Sequence, residues 1–408
     1  MSTPRLTVLV AARDEATRIG RTVAALRDAF PDAEIVVADD GSRDATASAA
    51  AGAGARVVRL PRRGKGQALT LAERTCGPGP LLLCDADLVG DLRPLVEAGA
   101  DVAVARFARR VGGGLGLAKG AAGALIELRT GRRVAEPLSG QRALSGRARA
   151  ELFPVAAGFG VETRMTIDAL RAGLGVEEVE LDLVHRATGG DLRGFVHRGR
   201  QLRDLALATI APDARNFRGL RLPLVGAVVG VVAPAVAPVA ALGLADDLWS
   251  GPERGFRAHL RAVATTGTLK LVGIPLWGLW RTRSVSGAVL VALCANLVNQ
   301  LDTRPGRALK ATLAGALVLG GRPRKAVVLG VLLAPYDLRE MTMLGDAGSN
   351  ALGAMVGLES VGRLTGLRRA SAIGALAAVT LLGERRSLGA LVESTPGVRE
   401  LDALGRYP

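Results

Sequence analysis

Acidic residues stand at the ends of apolar segments in both halves of this 408-residue chain. In the N-terminal half, Asp85-Ala-Asp87 follows the apolar residues 81–84, and carboxylates on a loop after a buried strand can hold a divalent cation. Such a cation would bridge a diphosphate and stabilise a departing nucleotide. In the C-terminal half, polar residues interrupt apolar sequence at Asp246, Asp247, Asn296, Asn299, Asp302 and Asp346. Ionisable groups at the ends of membrane helices are costly to keep there, so they mark a candidate site.

Two further motifs of the N-terminal half are suited to a nucleotide. The segment Asp39-Asp40-Gly41-Ser42-Arg-Asp44 can hydrogen-bond a base or a ribose, and Ser42 or Asp44 can equally cap the helix that follows. Gly64-Lys65-Gly66 precedes a predicted helix, where backbone N–H groups and a lysine can meet a phosphate.

The elements around these motifs alternate between strands and helices. Short apolar runs predict strands at 6–12, 34–38, 56–60 and 80–84, with helices at 16–29, 44–53 and 64–75. This alternation implies βαβ units and a mostly parallel sheet. Ligands of such sheets bind beyond the carboxyl ends of the strands, where both acidic motifs lie. Further strands are predicted at 101–105, 138–145 and 179–185, with a helix at 162–171, and the basic segment 193–221 is expected to lie against a membrane surface.

The C-terminal half contains long apolar runs. Residues 222–244 include no charge and are numerous enough to cross a bilayer of about 30 Å. Residues 284–301 form a second run, and 262–280 a third that Lys270 and Pro275 interrupt. Shorter runs lie at 311–321, 326–336, 347–358 and 370–383. We therefore predict a polytopic membrane domain of five to seven helices, since a soluble helical core seldom carries several such runs.

Charge and composition favour a membrane partner over nucleic acid. The net charge is +15, but only 3% of residues are aromatic and no basic stripe is interleaved with aromatics. Basic loops beside apolar spans fit an anionic cytoplasmic leaflet. The three cysteines, Cys76, Cys84 and Cys294, form no CxxC pair and are expected to be buried and reduced. The N-terminus has no apolar signal core, so we expect the N-terminal domain in the cytoplasm.

The N-terminal motifs occur in the order found in family-2 glycosyltransferases of the GT-A fold. Val10-Ala-Ala12-Arg-Asp14-Glu15, the Asp39–Asp44 segment, Gly64-Lys65-Gly66 and Asp85-Ala-Asp87 carry the resemblance, and Pro137–Arg142 and Gly158–Glu162 continue it. Residues 5–205 resemble polyprenyl-phosphate mannose synthases and glucosyl-3-phosphoglycerate synthases. The resemblance implies an α/β, Rossmann-like fold with a mostly parallel sheet.

The same resemblance implies roles for individual residues. Residues expected to hold the nucleotide are Asp14, Glu15, Asp39, Asp40 and Lys65. Asp85 and Asp87 would bind Mg²⁺ or Mn²⁺, and His185 is either a third ligand or an ordinary histidine at the end of a strand. Residues on the acceptor side are Gln141, Arg142 and Glu162. Glu162 is either a base or acceptor ligand, or a charge that satisfies a helix N-terminus.

The C-terminal half resembles the polyprenyl-phosphate N-acetylhexosamine-1-phosphate transferase superfamily. The matching stretches are Leu244–Leu248, Asn296–Asp302 and Gly345–Ser349, and Lys270 fits a lysine that follows the aspartate pair in that superfamily. The resemblance implies catalytic roles for Asp246, Asp247 and Asp302, substrate contacts for Lys270, Asn296 and Asn299, and a metal ligand in Asp346. This half is shorter than the members of the superfamily, and either an active transferase or a lipid-phosphate platform fits it.

We therefore predict a membrane-bound, metal-dependent glycosyltransferase. It would move sugar from a nucleotide diphosphate sugar to a polyprenyl-phosphate or another lipid acceptor. Two alternatives stay open: a bifunctional enzyme with an active sugar-1-phosphate transferase half, and a glycosyltransferase for a soluble acceptor such as phosphoglycerate, with the C-terminal half as an anchor. The predicted organisation is a cytoplasmic domain at 1–205, a basic linker at 206–221 and a multi-pass domain of the cell membrane at 222–408.

Overall fold

A computed structural model describes residues 5–88, 90–107, 117–183, 203–249, 266–319 and 324–406. The chain divides into two compact units, Met1–Pro223 and Leu224–Pro408. The first combines strands and helices, and the second is built from helices. The segment predicted as a linker, 206–221, belongs to the first unit, where its last residues enter a small sheet. The expectation for His185 and for residues 193–202 lies outside the described residues.

The first unit is built on a seven-stranded sheet with the strand order β3-β2-β1-β4-β6-β5-β7. Its strands are β1 (Thr7–Ala12), β2 (Glu34–Asp40), β3 (Arg56–Leu60), β4 (Leu81–Asp85), β5 (Val102–Phe107), β6 (Arg142–Leu144) and β7 (Val176–Leu181). Strand β6 runs antiparallel to both of its neighbours, and the other pairs are parallel. The predicted α/β class with a mostly parallel sheet is confirmed.

Helices cover both faces of this sheet because its central strands are apolar on both sides. On β1, Val8 and Val10 join one buried cluster and Leu9 joins the other. The helices include α1 (Ile19–Ala29), α2 (Thr46–Gly52), α3 (Lys65–Glu73), α4 (Arg93–Glu97), α5 (Leu117–Thr130), α6 (Gly146–Leu152) and α7 (Val161–Arg171), and residues 203–210 are also helical. Helix α1 buries Ile19, Val23 and Leu26, a spacing of one face.

Two predicted segments take a different form. The strand expected at 138–145 is reduced to the three residues of β6, because the preceding residues turn around the buried side chain of Arg142. The end of the predicted linker pairs β8 (Asp213–Arg215) with β9 (Arg221–Pro223) in an antiparallel hairpin. Arg221 donates to Asp168 of α7 at 2.6 Å, which fastens this hairpin to the first unit.

The second unit does not contain the continuous 222–244 helix that we predicted. Its helices are α8 (Ala227–Val232), α9 (Ala237–Trp249), α10 (Thr266–Thr282), α11 (Val285–Leu301), α12 (Arg307–Val318), α13 (Arg324–Asp337), α14 (Gly345–Val361), α15 (Gly366–Arg385), α16 (Leu388–Ser394) and α17 (Val398–Ala403). The helix breaks at Ala233, because Pro234 disfavours helical backbone before it and a 3₁₀ turn, Pro234–Val236, follows. Within the described residues, none of the helices is both long and apolar enough to cross a membrane.

Helix α14 forms the centre of the second unit and packs through glycines. A Cβ added at Gly353 would lie 2.4 Å from the carbonyl oxygen of Cys294 on α11, and one at Gly357 would lie 2.6 Å from Cα of Val291. On α9, a Cβ at Gly243 would lie 2.4 Å from the carbonyl oxygen of Asp346. The backbones of α9 and α11 therefore each approach that of α14 more closely than any larger residue would allow.

Replacing Gly353 by alanine is therefore expected to destabilise the second unit by about 1–3 kcal/mol, since a methyl group must push α11 away from α14. The matched control is Gly374→Ala on α15, where an added Cβ meets nothing within 4 Å. The control should be neutral or stabilising by roughly 0.5–1 kcal/mol, because alanine is the better helix former. Denaturant unfolding followed by circular dichroism measures both, and equal stability of the two variants would refute the close packing.

Exposed large apolar side chains are concentrated in the second unit. Helix α10 leaves Leu269, Val272, Leu276, Leu279 and Trp280 exposed, a spacing that places them along one side of the helix. Helix α13 exposes Val328, Val331 and Leu332. In the first unit, most large apolar residues instead join the two clusters against the sheet. These side chains give α10 and α13 exposed apolar surface.

Candidate functional site

The candidate site of the first unit lies where β1, β2 and β4 end. Strand β1 lies between the other two, with Ala12 opposite Asp39 of β2 and Ala11 opposite Asp85 of β4. Parallel strands place their carboxyl ends on one edge of the sheet, so the loops that follow all three meet there. The edge thus collects the predicted nucleotide motifs and the Asp85-Ala-Asp87 motif.

The loop after β1 and the loop after β2 are joined by direct hydrogen bonds. The Asp14 N–H donates to Ser42 Oγ at 3.0 Å, and Asp14 Oδ1 accepts from the Arg43 N–H at 2.9 Å. Asp14 has a φ of +54°, a conformation that aspartate tolerates better than most residues. Asp39 Oδ1 accepts from the Ser42 N–H at 3.0 Å. These contacts make one polar rim from the two predicted nucleotide motifs.

Neighbouring residues hold this rim in place. Glu15 donates its backbone N–H to Thr46 Oγ1 at 2.8 Å, and its carboxylate pairs with Arg18 at 2.7 Å. Asp44 accepts from the Ala16 N–H at 3.1 Å and from the Thr46 N–H at 3.0 Å, so it orders the start of α2. The hydrogen bond from the Thr46 hydroxyl lowers the pKa of Asp44.

Asp40 shapes the loop before α3. Its carboxylate accepts from the Arg63 N–H at 2.6 Å and from the Gly64 N–H at 3.0 Å. Burial raises the pKa of Asp40 above its ordinary value, although the two hydrogen bonds oppose this rise. The carboxylate that we predicted to hold a nucleoside is thus committed to the backbone of residues 63–64, and it positions Lys65 at the first turn of the helix.

Lys65 connects two carboxylates from distant parts of the sequence. Its Nζ lies 2.6 Å from Asp85 Oδ1 and 2.6 Å from Glu162 Oε1, at the first turn of α7. Burial disfavours the ammonium, but attraction to Asp85 and Glu162 is greater, so the pKa of Lys65 lies above its ordinary value. Glu162 is only 8% exposed, and its charge is balanced by this lysine as well as by the helix N-terminus.

Residues 139–141 form the wall behind this ion triad. Gln141 Nε2 donates to Asp85 Oδ2 at 3.2 Å, and a Cβ at Gly140 would lie only 2.4 Å from the same oxygen. Among the described atoms, Ser139 Oγ and Gln141 Oε1 are buried without a hydrogen-bond partner. Buried polar atoms of this kind point to water or a ligand. A side chain at residue 140 would fill the space beside Asp85.

We predicted that Arg142 lies on the acceptor side of the site. In the structure its side chain does not face this space. It is 1% exposed and donates to the carbonyl oxygen of Ser139 at 2.8 Å and to Thr166 Oγ1 at 2.8 Å. Burial lowers the pKa of Arg142 to about 10, which still leaves the guanidinium charged near neutral pH. In the structure Arg142 holds the 137–141 turn from behind, because its side chain is directed into the domain.

Asp85 and Asp87 have the carboxylate oxygens that Mg²⁺ and Mn²⁺ prefer. The ammonium of Lys65 already sits against Asp85, which shows that the position attracts a cation. In the part of the chain that the structure describes, no three His, Cys, Asp or Glu side chains gather closely enough to ligate one metal ion. His185 lies outside that part. The carboxylate donors of Asp85 and Asp87 fit Mg²⁺ or Mn²⁺.

The second unit gathers most of its predicted polar residues around Lys270. The Lys270 ammonium contacts Asp346 and lies 2.5 Å from Asp246 Oδ2. Asp247 accepts from the Asp346 N–H at 2.9 Å and from the Ala347 N–H at 3.0 Å, so it caps the N-terminus of α14. Asp302, the C-cap residue of α11, lies within electrostatic reach of Asp247 and Asp346.

Helix α11 supplies the remaining predicted residues. Ser349 Oγ lies 2.9 Å from Asn299 Oδ1 and also donates to the carbonyl oxygen of Gly345. Asn296 lies three residues before Asn299 on the same helix. Ser349 and Asn350 belong to a motif noted in the sequence, but no role was predicted for either; Asn350 donates to the carbonyl oxygen of Asp346 at 2.8 Å. Their signal was the spacing, since residues three and four after Asp346 share its helix face.

Comparison with known proteins finds a family match in the N-terminal part of the first unit. Residues 7–115 match the model of Glycosyl transferase family 2. The chain therefore carries a family 2 domain, and it is a nucleotide-sugar glycosyltransferase. No curated protein sequence matches the chain.

Solved structures similar to the chain include three of glucosyl-3-phosphoglycerate synthase from Mycobacterium tuberculosis. The complex with phosphoglyceric acid is 25% identical, with a TM-score of 0.43, over 52% of this chain and 82% of that chain. The complex with Mg²⁺ and UDP is 26% identical, with a TM-score of 0.43 and the same coverage. The complex with Mn²⁺, UDP and glucosyl-3-phosphoglycerate is 26% identical, with a TM-score of 0.42, over 54% of this chain and 87% of that chain.

Proposed function

We propose that this glycosyltransferase is bound to the cell membrane, depends on Mg²⁺ or Mn²⁺, and transfers sugar from a nucleotide diphosphate sugar to a polyprenyl-phosphate or another lipid-linked acceptor. The family 2 domain is the premise for the donor. The observation that carries the proposal is the meeting of the β1, β2 and β4 loops with the Lys65–Asp85–Glu162 triad on one edge of the sheet.

The donor half of the proposal follows from the polar rim and the triad. Asp14 and Asp39, fixed by their contacts with the 42–43 backbone, are suited to the hydroxyls and N–H groups of a nucleoside. Lys65 at the start of α3 would meet the diphosphate. Asp85 and Asp87 would hold the divalent cation, which when bound supplies positive charge for the departing nucleoside diphosphate.

Glu162 is the side chain best placed to act on the acceptor. It pairs with the same ammonium as Asp85 but belongs to α7, a different element from those of the polar rim. An acceptor phosphate attacks the anomeric carbon through an oxygen that is already ionised, while the bond from that carbon to the diphosphate oxygen breaks. With a hydroxyl acceptor, Glu162 would take the proton that the hydroxyl loses.

The membrane half of the proposal rests on the exposed apolar side chains of the second unit. The exposed side of α10 ends in Trp280 and Arg281, an aromatic and a cation of the kind that favour the boundary between lipid and water. We expect a multi-pass protein whose first unit lies in the cytoplasm. Carbonate extraction of membranes tests this: the protein should stay in the pellet, and its release into the supernatant would refute the assignment.

The Lys270 cluster is the proposed binding place for the phosphate of the acceptor lipid. Lys270 carries the positive charge, and the N-terminus of α14 adds the positive end of its helix dipole beside it. Holding the acceptor on the same chain as the donor domain raises its effective concentration. The gathering of Asp246, Asp247 and Asp346 also favours the second candidate, an active sugar-1-phosphate transferase half.

The experiment uses membranes that carry the protein, a panel of radiolabelled UDP- and GDP-sugars, and partition between butanol and water. Label should enter butanol with one donor and should depend on Mg²⁺ or Mn²⁺. A new labelled product that stays in water would instead indicate a soluble acceptor such as phosphoglycerate. The absence of any transfer across the panel would refute the donor class.

Aspartate-to-asparagine changes at 246, 302 and 346 separate the candidate roles of the second unit. We expect butanol-soluble product to fall at least about 10-fold, with the turnover of donor by the first unit retained, because the polar cluster that positions the Lys270 ammonium is altered. Formation of a sugar-1-phosphate lipid that the variants abolish would establish the bifunctional enzyme. Unchanged products in all three variants would indicate that the second unit serves only as an anchor.

A further inference from the structure

We propose that Lys65 is an internal counter-ion that keeps a bare divalent cation out of the site until a nucleoside diphosphate arrives to accept its ammonium. The inference rests on the proposed function, since it takes the cation and the diphosphate from it. It adds an order of events to the site and makes Lys65 a positioning residue for both Asp85 and Glu162.

The ammonium occupies the position that a cation at Asp85 would need. Lys65 Nζ lies 2.6 Å from Asp85 Oδ1 and 2.6 Å from Glu162 Oε1, and the lysine side chain is 20% exposed. The second oxygen of Asp85 accepts from Gln141 Nε2 at 3.2 Å. Both oxygens of Asp85 therefore carry donors, and a divalent cation arriving there meets a like charge.

The backbone around Lys65 is fixed, so only the side chain can leave. The carboxylate of Asp40 accepts from the N–H groups of Arg63 and Gly64, immediately before the lysine. After it, a Cβ at Gly66 would lie 1.9 Å from the carbonyl oxygen of Ala156, so the helix start packs directly on that backbone. The lysine stem is long and flexible, and its ammonium can turn without a change in α3.

The wall of the site gives the ammonium little room beside Asp85. A Cβ at Gly140 would lie 2.4 Å from Asp85 Oδ2 and 2.7 Å from Lys65 Nζ. The ion pair thus packs against the backbone of residue 140. When a cation binds Asp85, the ammonium must leave the carboxylate, and the phosphate oxygens of the donor are the anionic groups that would take it.

The departure of the ammonium also changes Glu162. In the structure its Oε1 is paired with Lys65, so the ammonium occupies the carboxylate oxygen that an acceptor hydroxyl would approach. When Lys65 turns to the diphosphate, Glu162 loses that partner while the acceptor side of the site is still open. Donor binding would therefore prepare both the metal site and the base in one movement.

The test measures Mn²⁺ binding to the full chain by the electron paramagnetic resonance signal of free Mn²⁺. Lys65→Met should bind Mn²⁺ alone at least 10-fold more tightly than the wild type. Saturating UDP should raise the Mn²⁺ affinity of the wild type by a larger factor than that of Lys65→Met. Only in the wild type does UDP draw an ammonium away from Asp85, and this coupling free energy between the two ligands is what the comparison measures. Lys119→Met is the matched control, since Lys119 forms a similar pair with Glu136 at 2.5 Å on another element.

The outcomes distinguish the inference from the proposed function. If Lys65→Met loses UDP affinity but binds Mn²⁺ alone as the wild type does, Lys65 is only a phosphate ligand and the inference is wrong. If neither protein binds Mn²⁺ with or without UDP, the proposed function falls together with the inference. Circular dichroism checks folding, and Lys65→Met combined with Glu162→Gln, which removes one unpaired carboxylate, repeats the test if the single variant does not fold.

Discussion

Replacing Asp87 by alanine is expected to reduce sugar transfer by about 1,000-fold, which corresponds to roughly 4 kcal/mol of transition-state stabilisation. The physical reason is the loss of a carboxylate that would hold the divalent cation against the departing nucleoside diphosphate. The effect should lie in kcat more than in donor affinity, because the charge on the leaving group develops in the transition state. Initial rates over a range of donor and Mn²⁺ concentrations give both quantities.

Asp91→Ala is the matched control for Asp87→Ala. Asp91 lies four residues later on the same stretch of chain, is exposed, and pairs with Arg93 at 2.8 Å. Its loss should change the rate by less than about threefold, since exposed ion pairs contribute little. Chelation of divalent cations should reduce the wild type to the level of Asp87→Ala. Equal rates for Asp87→Ala and Asp91→Ala would exclude Asp87 from the metal site.

Replacing Lys270 by methionine is expected to destabilise the second unit by about 3–5 kcal/mol, because the change leaves buried carboxylates without their counter-ion. Asp246 is 6% exposed, and its Oδ2 lies 2.5 Å from the ammonium. Asp346 contacts the same ammonium and begins the central helix α14, so the loss acts on the packing of the whole unit. Denaturant unfolding in detergent micelles measures the change in the free energy of unfolding.

Two further variants make this result specific. Lys325→Met removes an exposed lysine at the start of α13 and should leave stability within about 0.5 kcal/mol of the wild type. Adding Asp246→Asn to Lys270→Met should recover part of the lost stability, since residues in contact are coupled. If Lys270→Met were as stable as the wild type, the carboxylates would not depend on the lysine for their charge balance.

The strands of the first unit were predictable where one run of sequence carries the whole signal. Strands β1 and β4 are continuous apolar runs, and both ended close to the predicted residues. The bounds of β6 could not be predicted in this way, because its three residues are defined by antiparallel pairing with β4 and β5, which lie far away in the sequence. No local periodicity distinguishes a three-residue strand from a turn.

The location of the site could be predicted from the sequence better than the contacts of its individual side chains. The rule for the carboxyl ends of strands predicted that Asp39 and Asp85 lie at one edge, and the family resemblance added Asp14. The commitment of Asp40 to the backbone of residues 63–64, and the burial of Arg142 behind the 137–141 turn, depend on packing between distant segments. A motif read along the chain gives the residue type at each position but not the direction of its side chain.

The second unit shows a similar division between local and tertiary information. Prolines in two apolar runs had different outcomes, since Pro234 coincides with the end of α8, whereas Pro275 lies inside α10. Hydropathy alone treats the two alike. The aspartates and asparagines were noted from their residue types and Lys270 from the family resemblance, but no role was predicted for Ser349, because only the meeting of α11 with α14 brings it to Asn299.

The register of the sheet also sets the order in which the first unit can fold. Residue 7 of β1 pairs with residue 34 of β2, a separation of 27, but with residue 81 of β4, a separation of 74. Closing the longer loop costs roughly 0.9 kcal/mol more chain entropy, so the β1–α1–β2 segment is favoured to form first. The polar rim of Asp14 and Asp39 would then form on the nascent chain before β4 pairs with β1 and brings Asp85 to the same edge.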